Sequence, residues 1–536
     1  MALTMRAHEA GALHADGYGA APHWLPYPND VMELLPRLWS KGVTRGEDGV
    51  LAVAGVPVTQ IAEEFGTAAY VVDEDDFRAR ARAFAEDFTR PFVAVCGGAD
   101  VYYAGKAFLC SAVARWVMEE GLCLDVCSGG ELAVAQRVGF PGERIGMHGN
   151  NKSVAEIRQA LEYGVGRVVV DSLDEIGRVA AVARELGVVA PVMVRVTVGV
   201  EAHTHEFIAT AHEDQKFGFS LASGAAMEAV EAVLAEPDAL DLRGLHSHIG
   251  SQIFDVSGFE IAARRLVGLH IEVVEKHGVH LPEMDLGGGY GIAYTSEHDP
   301  MSPAHLGADM ASVVDRELRA LDRPALDGGT GETQAAPRPR ISIEPGRAIA
   351  GPSTLTLYEV GTVKQVQVTH DAVRTYVSVD GGMSDNVRTA LYGADYSCTL
   401  ANRASEAAPA VTRVVGKHCE SGDIVIRDCW LPGDLEPGDQ CGHRLRSGGA
   451  DLFGDRENRG RHNGRRMHES AGVRVVEVER VHQDTVGEGR RRGGDGLGVP
   501  ERMRLRRTAE SARHRQARTA LIAPAGTDAV AEAVEQ

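Results

Sequence analysis

The chain has 536 residues, of which 44% are hydrophobic and 24% charged, the make-up of a soluble globular protein with two to three domains. Its formal net charge of -21 argues against non-specific nucleic-acid binding and against an anionic membrane surface as partner. Eight cysteines without framework spacing suit a reducing cytoplasm, no apolar run reaches the length of about 18 residues that a membrane span needs, and "MALTMRAHEAGALHADGYG" lacks the basic and apolar regions of a signal peptide.

Residues 1–45 are punctuated by glycine and proline and are expected to wrap a surface. In "VLAVAGVPVTQIAEEFGTAAYVVDEDDFRARARAFAEDF" the pattern predicts a short strand pair, a helix, a strand and a second helix. Residues 46–75 are accordingly assigned as N-terminal strands of a β domain. Strands are then expected at "PFVAVC", "CLDVCS", "RIGMHG", "RVVVDS", "APVMVRVTV", "LRGLHSHIG", "EMDLGGG" and "RISIEPG". Amphipathic helices lie between them, as in "SLDEIGRVAAVARELG", where apolar residues recur at three- and four-residue spacing. This alternation predicts an α/β fold with a (β/α)8 TIM-type barrel of parallel strands over residues 76–348. "LDGGTGETQAAPRPR", residues 326–340, reads as an exposed loop within it. From 349 to 439 strand follows strand without helices, which predicts a separate antiparallel β domain. From Gln440 onward the chain has 19 arginines, no lysine, no tyrosine, no tryptophan and one phenylalanine. This Arg/Gly-rich tail has little from which to build a core.

Barrel strands keep their chemistry at their C-terminal tips. "VYYAGKAFLC" has the composition of a buried strand entering a helix, interrupted by Lys106. A lysine there either snorkels to solvent or is used as a nucleophile or Schiff-base amine. "LHSHIGSQ" places His246 and His248 on one face of an extended segment. "MDLGGGYG" sets Gly287, Gly288 and Gly289 after a strand, where backbone N–H groups can approach an anion. "ISIEPGRAIAG" ends a strand with Glu344 and then Arg347, which could instead form a local ion pair. Taken together, a lysine, a flat imidazole, a glycine turn and a carboxylate suit pyridoxal 5′-phosphate (PLP). Its aldehyde needs an amine, its phosphate needs N–H donors, and its pyridine nitrogen needs a carboxylate to stay protonated. His248 could stack on the ring. No metal site is expected.

The motifs "YAGKAF", "CSGGEL", "HSHIGSQ", "LGGGYGI", "EPGRAI", "MSDNVRTALYGA" and "GKHCESGDIV" occur in this order, and the chain resembles the diaminopimelate decarboxylase family over about residues 25–439. The resemblance implies that Lys106 binds PLP covalently. Gly288, Gly289 and the segment Glu344, Pro345, Gly346 and Arg347 would hold the cofactor, with Ser251 nearby and His248 on the ring. It further implies Cys419 as proton donor and Arg347, Arg388, Tyr392 and Glu420 as substrate-binding residues. The "CESGD" loop would complete the partner subunit's site, so a homodimer with shared active sites is implied. The implied reaction is decarboxylation of meso-2,6-diaminoheptanedioate to L-lysine, the last step of lysine biosynthesis. Arginines aimed at a distal carboxylate would reject ornithine-like substrates. On their own, Cys419 reads as a small packed hydrophobe and Arg388 as a solvated charge. A related PLP decarboxylase of basic amino acids or polyamines is the alternative.

After "LPGDLEPGD" the chain departs from that family, which continues with an apolar strand, a "TGAY" segment and a tyrosine that contacts cofactor and substrate. No tyrosine follows residue 439. The change falls inside the β domain, and its composition is what GC-rich coding DNA yields when read out of frame. Residues 440–536 are therefore expected to be frameshifted or disordered, with the β domain left short of closing strands and the enzyme impaired. "AGVRVVEVERV" could still form a strand by its valine alternation.

Overall fold

The computed structural model describes residues 21–22, 24–199, 216–324, 333–334, 336–369, 372–444, 467–470 and 473–478. Eight parallel strands close into a barrel: Ala99–Ala104, Cys123–Val126, Ile145–Met147, Arg167–Val170, Ala190–Thr197, Leu240–His246, Glu283–Gly288 and Arg340–Glu344. Closure runs through the pairing of Arg340–Glu344 with Ala99–Ala104 and of Arg167–Val170 with Ala190–Thr197. The helices that follow the second, third and fourth strands are set by one local code. Ser128, Ser153 and Ser172 each accept the backbone N–H three residues on, from Glu131, Glu156 and Glu175. Each helix then ends on a left-handed glycine, Gly139, Gly164 or Gly187.

Seven of the eight barrel strands fall where the alternation puts them. "PFVAVC" does not, because Phe92–Cys96 is a short helix and the first barrel strand is Ala99–Ala104, within "VYYAGKAFLC". Pro91 before this helix and the left-handed Gly97 after it are helix punctuation that outweighs the valines. Phe92 alone in the run is buried, and Val93 is exposed. The segment before the barrel has the expected order: strands Leu51–Val53 and Val56–Pro57, helix Val58–Phe65, strand Ala69–Asp73 and helix Glu74–Arg82.

The second sheet is mixed rather than purely antiparallel. Thr354–Thr369 is its long central strand and pairs antiparallel with Ala69–Asp73, Ala372–Val379 and Gln440–Arg444. Ala372–Val379 and Pro409–Val415 run parallel. A short helix, Arg388–Tyr392, interrupts the expected run of strands. The tail also departs from the expectation of disorder. Gln440–Arg444 is a paired strand, and Cys441 and His443 in it are buried. Val473–Val478, inside "AGVRVVEVERV", pairs in parallel with Ala69–Asp73, and Met467–Ser470 adds to its far side. Valine-rich alternation favours a strand even in a segment whose composition is otherwise poor in core formers. Residues 445–466 and 479–536 of the tail lie outside the described residues, as do most residues of the 326–335 stretch.

Candidate active site

The C-terminal end of the barrel opens on a cavity of about 320 Å³, lined by Lys106, Asp125, His148, Arg195, Lys216, His246, His248 and Glu344 among others. Lys106 stands on the turn Gly105–Ala107 that follows the first barrel strand. Gly105 is required there, since a Cβ would lie 2.7 Å from the Asp125 carbonyl oxygen. Lys106 itself is exposed, although Tyr102, Tyr103 and Ala107 around it are buried. Lys106 is thus not buried with the strand that leads to it. The turn lifts the lysine off the strand, and its stem rises from the core into the cavity.

Opposite lies a buried carboxylate and imidazole floor. His246 Nε2 is 2.8 Å from Glu344 Oε1, His148 Nε2 is 3.6 Å from the same oxygen, and His248 Nδ1 is 4.0 Å from Glu344 Oε2. His148 Nε2 also lies 3.1 Å from Asp125 Oδ1. Glu344 has no ion pair with Arg347; the histidines are its partners. Burial raises the Glu344 carboxyl, but the surrounding His246 and His148 outweigh it and hold the group well below the usual carboxylate range. Burial, and then the nearby Glu344, pushes Asp125 well above that range. The two acids are thus pushed in opposite directions, Asp125 toward its neutral form and Glu344 toward its charged form. Burial lowers all three imidazoles, His148 to about 4, so at neutral pH they are uncharged.

That shift has a consequence for stability. The His148 value in the folded protein lies below that of the unfolded chain, so the unfolded state binds more protons as pH falls from 6.5 toward 4. This contribution is present above pH 6.5 and lost toward pH 4. Between pH 7 and pH 5 it should cost the cofactor-free protein about 2 kcal/mol. Denaturant unfolding at both pH values should show that loss, and His148→Asn should reduce it; an equal loss in the variant would remove His148 as its source.

The glycine triplet also organises the strand ends around it. The Gly287 N–H donates to Asp285 Oδ1 at 2.7 Å and the Gly288 N–H to His248 Nδ1 at 3.2 Å. A Cβ on Gly288 would come within 2.1 Å of the Glu344 carbonyl oxygen, and one on Gly289 within 2.3 Å of that of Gly250. The glycines permit tight packing of strand ends and fix the His248 ring. Next to them, Arg347 donates to Ser251 Oγ at 2.8 Å and to the Tyr294 hydroxyl at 3.2 Å. Burial and the nearby Arg388 both lower the Arg347 guanidinium pKa. Arg388 is buried, lies over the Tyr392 ring at 4.7 Å, and its Nε has no hydrogen-bond partner. Two guanidiniums near enough for one to lower the pKa of the other favour an anion between them. Pro345 and Gly346 pack on the lysine's strand: the Pro345 carbonyl accepts from the Ala104 N–H at 3.3 Å, and a Gly346 Cβ would meet the Ala104 carbonyl oxygen at 2.8 Å.

Lys106, His248 and Glu344 are thus brought to one cavity, and Ser251, Arg347, Arg388 and Tyr392 to a neighbouring cluster. Cys419 and Glu420 do not line the cavity. They are exposed on the turn between Pro409–Val415 and Ile424–Pro432, a turn pinned by Asp423, which accepts the His418 N–H at 2.7 Å. Sequence reasoning missed Asp125, His148 and Arg195 as cavity residues. The polar tips of "CLDVCS" and "RIGMHG" were the available signal.

The cavity passes a test for PLP on its own chemistry. His246 Nδ1 and Asp125 Oδ2 are buried without hydrogen-bond partners, an amine faces a carboxylate, and the volume suits a small heteroaromatic ligand. His148, His246 and Glu344 also offer three atoms within 4.8 Å, a spacing that a metal ion could use. The lysine and the neutral imidazoles above an anionic Glu344 suit a protonated pyridine ring better.

Residues 74–351 match the family model described as pyridoxal-dependent decarboxylase, pyridoxal binding domain. Diaminopimelate decarboxylase of Mycobacterium tuberculosis is 57% identical over 415 residues, spanning 77% of this chain and 88% of that protein. The Bacillus subtilis enzyme of the same name is 42% identical over 395 residues, spanning 74% and 85%. The crystal structure of diaminopimelate decarboxylase from M. jannaschii in complex with L-lysine superposes with a TM-score of 0.68 at 28% identity, covering 83% of this chain and 94% of that one.

Proposed function

The chain belongs to the pyridoxal-dependent decarboxylases, among the diaminopimelate decarboxylases, and on that basis we propose that it converts meso-2,6-diaminoheptanedioate to L-lysine and CO2, closing lysine biosynthesis. The observation that carries this reading is the pairing of a cavity holding Lys106 and Glu344 with the adjacent guanidiniums of Arg347 and Arg388.

Lys106 would hold PLP through its amine, Glu344 would face the pyridine nitrogen, and His248 would cover the ring. Gly288, Gly289 and the segment Glu344, Pro345, Gly346 and Arg347, with Ser251, would keep its phosphate end. Bound PLP supplies an electron sink for the pair released when CO2 leaves. The chain's own groups do the rest. Arg347 and Arg388 fork onto the substrate's far carboxylate, with Tyr392 backing Arg388, and Glu420 pairs with the far ammonium. The Cys419 thiol delivers the proton that replaces CO2.

Cys419 and Glu420 are exposed and absent from this chain's own cavity, which supports a homodimer whose "CESGD" turn completes the partner's site. Mixing Lys106→Ala with Cys419→Ala protein after reversible dissociation should then restore about a quarter of wild-type activity, since half the random dimers hold one intact site of two. Zero recovery in mixed dimers confirmed by mass would reject shared sites. No disulfide forms among the described residues, and no helix among them is long and apolar enough to cross a membrane. Both features support a cytoplasmic enzyme.

The test of the function is lysine release from meso-2,6-diaminoheptanedioate, with ornithine and arginine as competing substrates. Faster turnover of ornithine would move the chain to the basic amino-acid decarboxylases. One feature favours a second reading, an impaired enzyme: no tyrosine follows Asp439, so the family's C-terminal tyrosine has no counterpart here. A frameshift near codon 439 accounts for that, and resequencing the locus decides it.

A further inference from the structure

Beneath the cavity lies a charged network that the reaction does not use. Arg167, at the start of the fourth barrel strand, is 1% exposed and points into the barrel. Its guanidinium lies 3.5 Å over the Tyr102 ring, donates to Ser342 Oγ at 2.8 Å and pairs with Asp285 Oδ2. Ser342 Oγ donates to the same carboxylate oxygen at 2.5 Å. The other oxygen, Asp285 Oδ1, takes the Gly287 N–H. That hydrogen bond holds a turn whose first glycine has φ +72° and would place a Cβ 2.4 Å from the Ser247 carbonyl oxygen. The next amide, Gly288 N–H, is the one that fixes His248 Nδ1.

A buried arginine in a barrel core is costly unless it fixes something. This one fixes both oxygens of Asp285 by engaging one of them, directly and through Ser342, and leaving the other for the glycine turn. We propose that Arg167 is a positioning residue of the cofactor site, acting through Asp285 to lock the Gly287–Gly288 turn that aims the His248 imidazole. The inference rests on the PLP reading above. Arg167 does not line the cavity. Its Nη2 stands 4.0 Å from Asp125 Oδ1, so its charge also reaches the cavity floor.

Removing the cation alone leaves Asp285 buried and charged without a counter-charge, and Ser342 alone is left to hold the Oδ2 that Arg167 anchored. Neutralising both groups removes that conflict, because an asparagine Oδ1 still accepts the Gly287 N–H. The experiment is PLP titration of the full-length apoprotein, followed by fluorescence quenching, for wild type, Arg167→Met and Arg167→Met/Asp285→Asn. Arg167→Met should weaken PLP binding by about tenfold or more, the scale on which residues that support a binding group act. The double variant should return to within about threefold of wild type. A residue that merely filled the core would give no such rescue. Equal affinity for wild type and Arg167→Met overturns the proposal, as does a double variant as weak as the single one. Should Arg167→Met not fold, Arg167→Lys takes its place, since an ammonium cannot reach Ser342 and Asp285 as a fork; wild-type affinity in that variant overturns the proposal equally. A wild-type protein that takes up no PLP overturns the cofactor reading instead, and this inference with it.

Discussion

Replacing Lys106 with alanine is expected to lower decarboxylation on the order of 10³-fold or more, because the group that holds the cofactor covalently is gone. PLP should still bind, weakly and removably by dialysis, through Glu344, His248 and the glycine turn. Borohydride should then leave no label on the variant, and on wild type it should mark one peptide. Two lysines line the cavity, Lys106 and Lys216, so peptide mapping has a real rival to exclude. Lys216 lies 4.9 Å over the Phe217 ring, whereas Lys106 stands on the turn after the first barrel strand. A third candidate, Lys152, is buried and held by Glu175 at 3.1 Å and by the Gly149 carbonyl at 2.7 Å, so its amine is already engaged. A label on Lys216 would transfer the covalent role and sink the assignment of Lys106.

The second large effect is expected at Arg388. Its substitution by alanine should reduce kcat/KM for meso-2,6-diaminoheptanedioate on the order of 10²-fold, the scale for losing one partner of a buried charge pair. PLP affinity should stay within about twofold of wild type, since Arg388 belongs to the cluster around Arg347 rather than to the cavity lining. The split between the two measurements is the point. A purely structural arginine would weaken both, and a solvated one would change neither. Arg388→Lys should recover little, because an ammonium cannot fork onto a carboxylate. Unchanged catalytic efficiency in Arg388→Ala would remove the residue from the substrate site.

Much of this architecture is legible in the chain because barrel strands and their helices obey short-range rules. Ser-x-x-Glu before a helix and glycine after it recur at Ser128, Ser153 and Ser172, and the strand tips between them are polar. "PFVAVC" misleads because six apolar residues cannot be divided between strand and helix by periodicity, and its flanking Pro91 and Gly97 decide the matter. The site is legible in part. Lys106, His248 and Glu344 sit at strand tips and meet in the cavity, while Asp125 and His148 stand inside polar tips whose residue types alone do not mark them as cavity groups. The pairing of Arg347 with Arg388 is long-range, bringing a barrel residue to the short helix of the other sheet. Periodicity carries no such information. The tail shows the opposite limit: composition alone predicts no order, yet alternating valines at Val473–Val478 find a sheet edge.

The strand Ala69–Asp73 precedes the barrel in the chain, yet both of its sheet partners, Thr354–Thr369 and Val473–Val478, follow it. During synthesis this strand therefore emerges with no mate and must wait while the whole barrel is translated, on the order of tens of seconds at cellular elongation rates. The barrel can close in that interval from neighbours close in sequence, whereas the sheet is a long-range closure that comes last. Termination or misreading after the barrel would thus release a polypeptide with a finished cofactor cavity and an apolar strand still unclaimed. That species is the one a chaperone or a protease in the producing cell would meet first.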